Sequence, residues 1–199
     1  MLKAGDRAPT FKLPAADGGT FDLAKCKGRS VVVYFYPRDD TPGCTVEAIE
    51  FSRALKDFEG AGATIVGISK DSIASHCKFR DKHKLTIALA SDADLAVHRA
   101  FGAWGEKTMY GKKVEGVIRS TFLVGPDGKV AAAWPSVKVA GHVEKVLATL
   151  RGDAAPAAPK KAAAPKKAAP APKAAPAKKA AAKKAAPKKA APAKKVAAK

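Results

Sequence analysis

An α/β fold with a central mixed sheet and flanking helices is what this sequence predicts for residues 1–153, and three observations predict it. The run Val31-Val32-Val33-Tyr34-Phe35-Tyr36 is apolar at every position, as a strand buried on both faces would be. Strand-like and helix-like stretches alternate after it, the order expected when helices cover a sheet. Later, residues 121–124 and 129–134 flank Pro126-Asp127-Gly128, a strong turn sequence, so a hairpin joins the same sheet.

The elements follow in order. Short alternating segments at 10–13 and 20–23 are separated by the turn Asp17-Gly18-Gly19. Pro37 ends the apolar strand, and after Arg38-Asp39-Asp40 a helix start is written, with Thr41 as N-cap and Pro42 at the first helical position. Ala48, Phe51, Leu55 and Phe58 repeat at helical spacing until Gly60 stops the run. Residues 63–68 read as a strand, and a second helix runs from Asp71 or Ser72 to about His83. A strand at 86–90, a helix at 93–101 and a last helix at 141–150 complete the pattern.

Composition changes abruptly at residue 154. The 46 residues from Ala154 to Lys199 comprise 23 Ala, 14 Lys, 8 Pro and Val196. Such a stretch has almost nothing to bury, so residues 154–199 are expected to be a disordered Lys/Ala/Pro-rich tail beside one domain at 1–153. Of the formal charge of +19, the tail carries +14, leaving +5 for the domain. Basicity is thus a property of the tail.

No apolar run approaches the ~20 residues needed to span a bilayer, and the start of the chain shows no secretory h-region. Three cysteines at irregular spacing do not form a secreted disulfide framework. A cytoplasmic protein is the expectation.

Cys44 is the residue that carries chemistry. It falls at the third position of the helix that Thr41 begins, directly after a buried strand. A helix N-terminus presents unpaired N–H groups and about half a positive charge, which favour the nucleophilic thiolate. The bland alternative is a small buried cysteine at a helix start.

Pro37-Arg38-Asp39-Asp40-Thr41-Pro42-Gly43-Cys44, following Val33-Tyr34-Phe35-Tyr36, resembles the Pro-x-x-x-Thr-x-x-Cys segment of peroxiredoxins. The Tyr-Phe-Tyr-Pro and Thr-Pro-Gly-Cys-Thr wording is similar to the bacterioferritin comigratory protein, or peroxiredoxin Q, branch. Similarity continues through Ser69-Lys70-Asp71-Ser72, Phe101-Gly102-Ala103-Trp104-Gly105-Glu106-Lys107, Arg119-Ser120-Thr121-Phe122 and Asp127-Gly128-Lys129.

The resemblance implies a thioredoxin-like fold and a thiol peroxidase acting on hydrogen peroxide and organic hydroperoxides. It assigns Cys44 as the peroxidatic nucleophile, which becomes a sulfenic acid. Thr41 would hold the peroxide and bond to the thiolate. Pro37 would shield the sulfenate. Arg119 would stand beside the sulfur and stabilise the leaving oxygen. Taken alone, Arg119 reads as a surface ion-pair residue. Glu47 either orients Arg119 or simply complements the helix dipole, and the residues leave both readings open.

Many relatives carry a resolving cysteine five residues after the first, where this chain has Ile49. The other arrangement of the branch uses the next helix, and Ser72-Ile73-Ala74-Ser75-His76-Cys77-Lys78-Phe79 is similar to it. The resemblance therefore implies an intramolecular Cys44–Cys77 disulfide, recycled by thioredoxin or a similar dithiol. Packing beside Ile73 is the inert reading of Cys77.

Cys26 matches no redox position and reads as a packing residue. His76, His83, His98 and His142 show no metal-ligand spacing and read as surface or helix-end residues. No cofactor and no metal are expected, and the domain is expected to act as a monomer. The tail resembles linker-histone tails and lysine-rich nucleoid proteins, so it would bind DNA or RNA through phosphates, or be an inert extension. That leaves a second class open: a nucleoid-binding protein with a demoted peroxiredoxin domain. A disulfide oxidoreductase is disfavoured because Cys44 has no Cys-x-x-Cys partner.

Overall fold

Successive side chains of a strand point to opposite faces, so a strand apolar throughout must have a core on each side. That is how Val31 to Tyr36 are used. Val32, Tyr34 and Tyr36 enter one cluster with Phe51, Phe58 and Phe79, while Val31, Val33 and Phe35 enter another with Phe101 and Phe122.

The structure, a computed structural model, describes residues 1–109 and 112–152; the tail from Ala154 onward lies outside the described residues. The strands are β1 (Lys12–Pro14), β2 (Thr20–Asp22), β3 (Ser30–Phe35), β4 (Ala63–Ser69), β5 (Ala88–Ser91), β6 (Trp104–Met109), β7 (Lys112–Val117), β8 (Ser120–Val124) and β9 (Val130–Pro135). The helices are α1 (Pro42–Arg53), α2 (Leu55–Gly60), α3 (Ile73–His83), α4 (Ala96–Phe101) and α5 (His142–Arg151), and Leu23–Cys26 forms a 3₁₀ turn.

The main sheet has the order β5-β4-β3-β8-β9, with β3, β4 and β5 parallel and β8 and β9 antiparallel to their neighbours. This is the mixed sheet of the expected thioredoxin-like α/β fold. Gly67 pairs with Tyr34 in it, and a Cβ on Gly67 would lie 2.5 Å from the Tyr34 ring. Only glycine lets that ring lie flat across the neighbouring strand. Phe51 packs on the same ring with centroids 4.8 Å apart and is fully buried. Phe51→Ala would cost about 3–5 kcal/mol.

Several local expectations change. The single helix expected over 41–60 is two helices meeting at Ala54. Near that break Ser52 bonds Thr86 through both its hydroxyl and its carbonyl, a tertiary contact that helical periodicity does not reveal. The helix expected from residue 93 begins only at Ala96, because Leu95 adopts a left-handed conformation, φ 62°. β6 and β7 form a separate hairpin, with Trp104 opposite Val117, in a stretch whose glycines and charges hid its strand character.

Three of the four histidines are not surface residues. His76 and His98 are fully buried and His142 nearly so. Each is bonded by a neighbour distant in sequence or across a turn: His76 by Asp39, His98 by Asp92 at 2.6 Å, His142 by Thr121 at 2.8 Å. Their polar partners make burial tolerable. His83, at the end of α3, is half-buried as a helix-end residue can be.

Candidate active site

Cys44 is the third residue of α1, and α1 begins where β3 ends. Thr41 is the residue before the helix, extended at φ −98°, and Pro42 occupies the first helical position. The Thr41 side chain does not cap the helix. Its hydroxyl instead donates to the Arg38 carbonyl at 3.1 Å, while the Thr45 N–H bonds the Thr41 carbonyl at 2.8 Å. The early N–H groups of α1 are left without a side-chain cap, beside a thiol only 2% exposed.

Arg119 reaches this place through the sheet. β8 pairs antiparallel with β3, setting Ser120 opposite Phe35, so the residue before Ser120 emerges beside the start of α1. Its backbone is tied on both sides, by Ile118 N–H to the Ala103 carbonyl and by Val137 N–H to its own carbonyl. Arg119 Nη2 lies 3.0 Å from Cys44 Sγ, and Nη1 donates to the Glu47 carboxylate. A Cβ on Gly43 would come within 3.4 Å of Nη2, so glycine leaves the guanidinium its place.

Burial sets the charges here. The Glu47 carboxyl is pushed up to about 7 by burial, against the pull of Arg119. One of its oxygens, Oε1, has no partner among the described residues. Burial opposes the charge on Arg119, but Glu47 and Cys44 outweigh it and hold the guanidinium above its ordinary value. Burial pushes the Tyr34 phenol well up, with Glu47 and Cys44 adding to it. Burial takes His142 down to about 4, helped by Lys145 and Arg119.

Pro37 is half-buried and lines an open groove of about 250 Å³ with Trp104, Val114 and Val117. Cys77 sits in the first half of α3, half-buried, its Sγ 3.3 Å from the Ala16 carbonyl. All three cysteines are free thiols. Cys26 lies at the other end of β3, beside a cleft of about 260 Å³ that also contains Arg7, Lys27 and Arg29. Its half-buried Sγ faces the Asp22 carbonyl at 3.6 Å, and burial followed by Asp22 raises its pKa.

The structure thus brings Arg119 into direct contact with both Cys44 and Glu47, with Thr41 one helical turn from Cys44 along the chain. Glu47 is 1% exposed and lies beyond the first turn, so the contact with Arg119, not the helix dipole, explains it. Sequence reading overlooked Asp39, Tyr36 and His76, which form a buried bonded group beside this site. No local signal marked them, since Asp39 stands between Arg38 and Asp40 and His76 between Ser75 and Cys77. Among the described residues no helix is long and apolar enough to cross a membrane.

A helix-borne cysteine under an arginine, at the carboxyl end of the central strand of such a sheet, defines a thiol-based redox enzyme. The AhpC/TSA family model matches residues 4–133. Peroxiredoxin Bcp of Xanthomonas campestris is 49% identical over 149 residues, covering 74% of this chain and 93% of that protein. A solved structure of peroxiredoxin Q from X. campestris superposes with a TM-score of 0.71 at 46% identity, over 75% of this chain and 97% of its own. Another, of the X. campestris bacterioferritin comigratory protein, gives a TM-score of 0.71 at 45% identity, over 75% and 98%. That protein is described through its alkyl peroxide reduction activity and trapped intermediate and ligand complexes. The chain belongs to the AhpC/TSA family and, within it, to the Bcp and peroxiredoxin Q type of peroxiredoxin. It is a peroxidase.

Proposed function

We propose that residues 1–153 reduce hydrogen peroxide and organic hydroperoxides, alkyl hydroperoxides among them, with Cys44 as nucleophile and thioredoxin or a similar dithiol as reductant. The observation that carries this reading is the 3.0 Å contact of Arg119 Nη2 with Cys44 Sγ at the start of α1. The Cys44 thiolate attacks one peroxide oxygen, an S–O bond forms and the O–O bond breaks. The departing oxygen takes a proton and leaves as water or alcohol, and Cys44 is left as a sulfenic acid. Arg119 is charged at every relevant pH and sits where negative charge shifts from sulfur to the leaving oxygen. Glu47 fixes the orientation of that guanidinium.

The Thr41 hydroxyl spends its proton on the Arg38 carbonyl, so its lone pairs are open to a peroxide O–H. Pro37, beside the groove, limits access of water to the sulfenate. Cys77 then attacks the Cys44 sulfur: an S–S bond forms, the S–O bond breaks, and hydroxide leaves with a proton as water. A dithiol reductant returns both thiols by exchange. Alkyl hydroperoxides are included because the X. campestris relative has an alkyl peroxide reduction activity.

Peptide mapping of the peroxide-treated protein tests the pairing. A Cys44–Cys77 bond within one chain is expected, and Cys77→Ser should give one turnover without recycling. A Cys44–Cys26 bond, or one between chains, would overturn the resolving role of Cys77 and leave Cys44 untouched.

The 14 lysines of residues 154–199 support a second role, tethering a cytoplasmic, nucleoid-associated enzyme to DNA or RNA through phosphates. Affinity for DNA should fall steeply with salt and largely disappear when 154–199 are removed, while peroxide turnover persists. Equal DNA affinity without the tail would reject the tether.

A further inference from the structure

The loop leading to Cys44 grips the helix that carries Cys77 at both of its ends. Asp39 is 7% exposed, and its carboxylate accepts three side-chain hydrogen bonds. Tyr36 Oη donates to it at 2.8 Å, Ser75 Oγ at 2.7 Å and His76 Nδ1 at 2.9 Å. The Asp39 backbone N–H donates to Asp71 Oδ2 at 2.7 Å, just before α3. The next residue, Asp40, turns outward with φ 55° and bonds Lys82 Nζ at 2.6 Å and His83 Nε2 at 2.8 Å at the end of α3. Two consecutive carboxylates therefore strap one helix, and Cys77 lies between the straps.

The straps differ in strength. Asp40 is exposed, and its ion pairs are weakened by solvent and salt. Asp39 is buried, so its bonds act in a low-dielectric setting and none is readily replaced by water while α3 is in place. Burial alone would push its carboxyl up, but the donors from His76, Ser75 and Tyr36 outweigh burial and hold it below its ordinary value. His76 Nε2 is buried without a partner among the described residues. It gains water as soon as the first turn of α3 opens, which offsets part of the loss. Such a contact is firm when closed and able to open, as a low-stability segment requires.

The reduced structure does not pair the two thiols. Cys44 Sγ faces Arg119, and Cys77 Sγ faces the Ala16 carbonyl. A disulfide requires Cα atoms within about 7 Å and opposed Cβ vectors. A bond between them draws on the segment just after Asp40 and on the turn that holds Ser75 and His76.

We propose that Asp39, Ser75 and His76 are positioning residues for the second half-reaction: a latch that holds Cys77 in helical α3 until Cys44 is oxidised, and whose opening sets the rate of disulfide formation. This rests on the reading of Cys77 as the resolving thiol. The latch also sets how long the sulfenate persists, and so how often a second peroxide converts it to the sulfinic acid.

The test follows the full-length reduced protein through one stopped-flow turnover with hydrogen peroxide, using His76→Leu, Ser75→Ala and His76→Asn. His76→Leu removes a donor to a charged acceptor, so disulfide formation should accelerate roughly tenfold. The peroxide attack step should stay within about twofold, and sulfinic acid at high peroxide should fall about in step. Ser75→Ala, the milder change should His76→Leu fold poorly, should accelerate the same step about threefold. His76→Asn, which keeps an N–H near the Nδ1 position, should restore the wild-type rate. Hydrogen exchange at the amides of 73–78 should rise in His76→Leu and Ser75→Ala and return in His76→Asn. If the Cys44–Cys77 bond forms in every variant at the wild-type rate, the latch is wrong and the resolving role of Cys77 stands. If peptide mapping finds no such bond in the wild type, that role fails, and the latch with it.

Discussion

Cys44 and Cys26 lie at opposite ends of the same central strand, and each has an arginine for a neighbour, yet their surroundings treat the sulfur in opposite ways. Cys44 follows the carboxyl end of β3 in a 12-residue helix, with Arg119 donating to its sulfur. Cys26 precedes the other end of β3 in a four-residue 3₁₀ turn, with a backbone carbonyl 3.6 Å from its sulfur. A carbonyl is satisfied by S–H and repels S⁻, whereas a guanidinium and free helical N–H groups are satisfied by S⁻. Arg29 pulls Cys26 down, but burial and Asp22 prevail and its pKa ends raised. Positive charge nearby is not enough. The donors must point at the sulfur.

The largest break in this comparison is Cys44→Ser, which should abolish steady-state peroxide consumption. Substantial turnover by that variant would move the chemistry to another thiol. Next comes Arg119→Ala, which leaves the helix in place and removes the aimed donor. By analogy with the loss of one preorganised donor, the rate should fall roughly 10²–10³-fold in stopped-flow peroxide reduction. A loss below about threefold would mean that α1 alone activates Cys44.

A third test concerns stability around Cys44. Glu47 is raised from 4.5 to about 7 in the fold, so it contributes stability that is complete below about pH 4.5 and lost as pH rises through about 7. His142 is lowered from 6.5 to about 4, so its contribution is complete above about pH 6.5 and lost as pH falls through about 4. Each shift amounts to about 3 kcal/mol, and the two slopes oppose one another over most of that window. Wild-type stability should therefore be nearly level there. Glu47→Gln should expose an acid-side loss, and His142→Gln a loss toward neutral pH, read as urea midpoints at pH 4.5, 6.5 and 8. Flat profiles in both variants would refute these assignments.

The smallest effects belong to the other cysteine. Cys26→Ser should leave turnover within about twofold, because no aimed donor is lost. Asp22→Asn keeps the bond to the Ala24 N–H and removes the charge, so alkylation of Cys26 should rise only a few-fold. A Cys26 as reactive as Cys44 in the wild type would erase the distinction.

Much of the site was legible locally. Thr41, Pro42 and Cys44 are read correctly as the entry to a helix, because N-caps and first-turn prolines act within a few residues. The Thr41 hydroxyl is the exception: a competing carbonyl, that of Arg38, takes it. Arg119 was legible only through family resemblance, since 75 residues separate it from Cys44. Glu47 had two equal readings until its burial against Arg119 separated them. The burial of His76 and His98 is not legible because a polar residue looks the same in sequence whether water or a carboxylate satisfies it, while His142 does stand at a helix end, as the first residue of α5.

By itself, then, the sequence determined what depends on neighbours along the chain: the doubly buried strand β3, the start of α1 with its cysteine, the presence of helix α3, the hairpin turn at residues 126–128 and the lysine-rich composition beyond residue 153. Tertiary structure alone decided which groups face each thiol, that burial lifts the Glu47 carboxyl to about 7, and that Asp39 reaches His76 across 37 positions. Helical and turn preferences are short-range energies. Desolvation and charge pairing depend on whatever the fold brings within a few ångströms, and no local pattern records that distance.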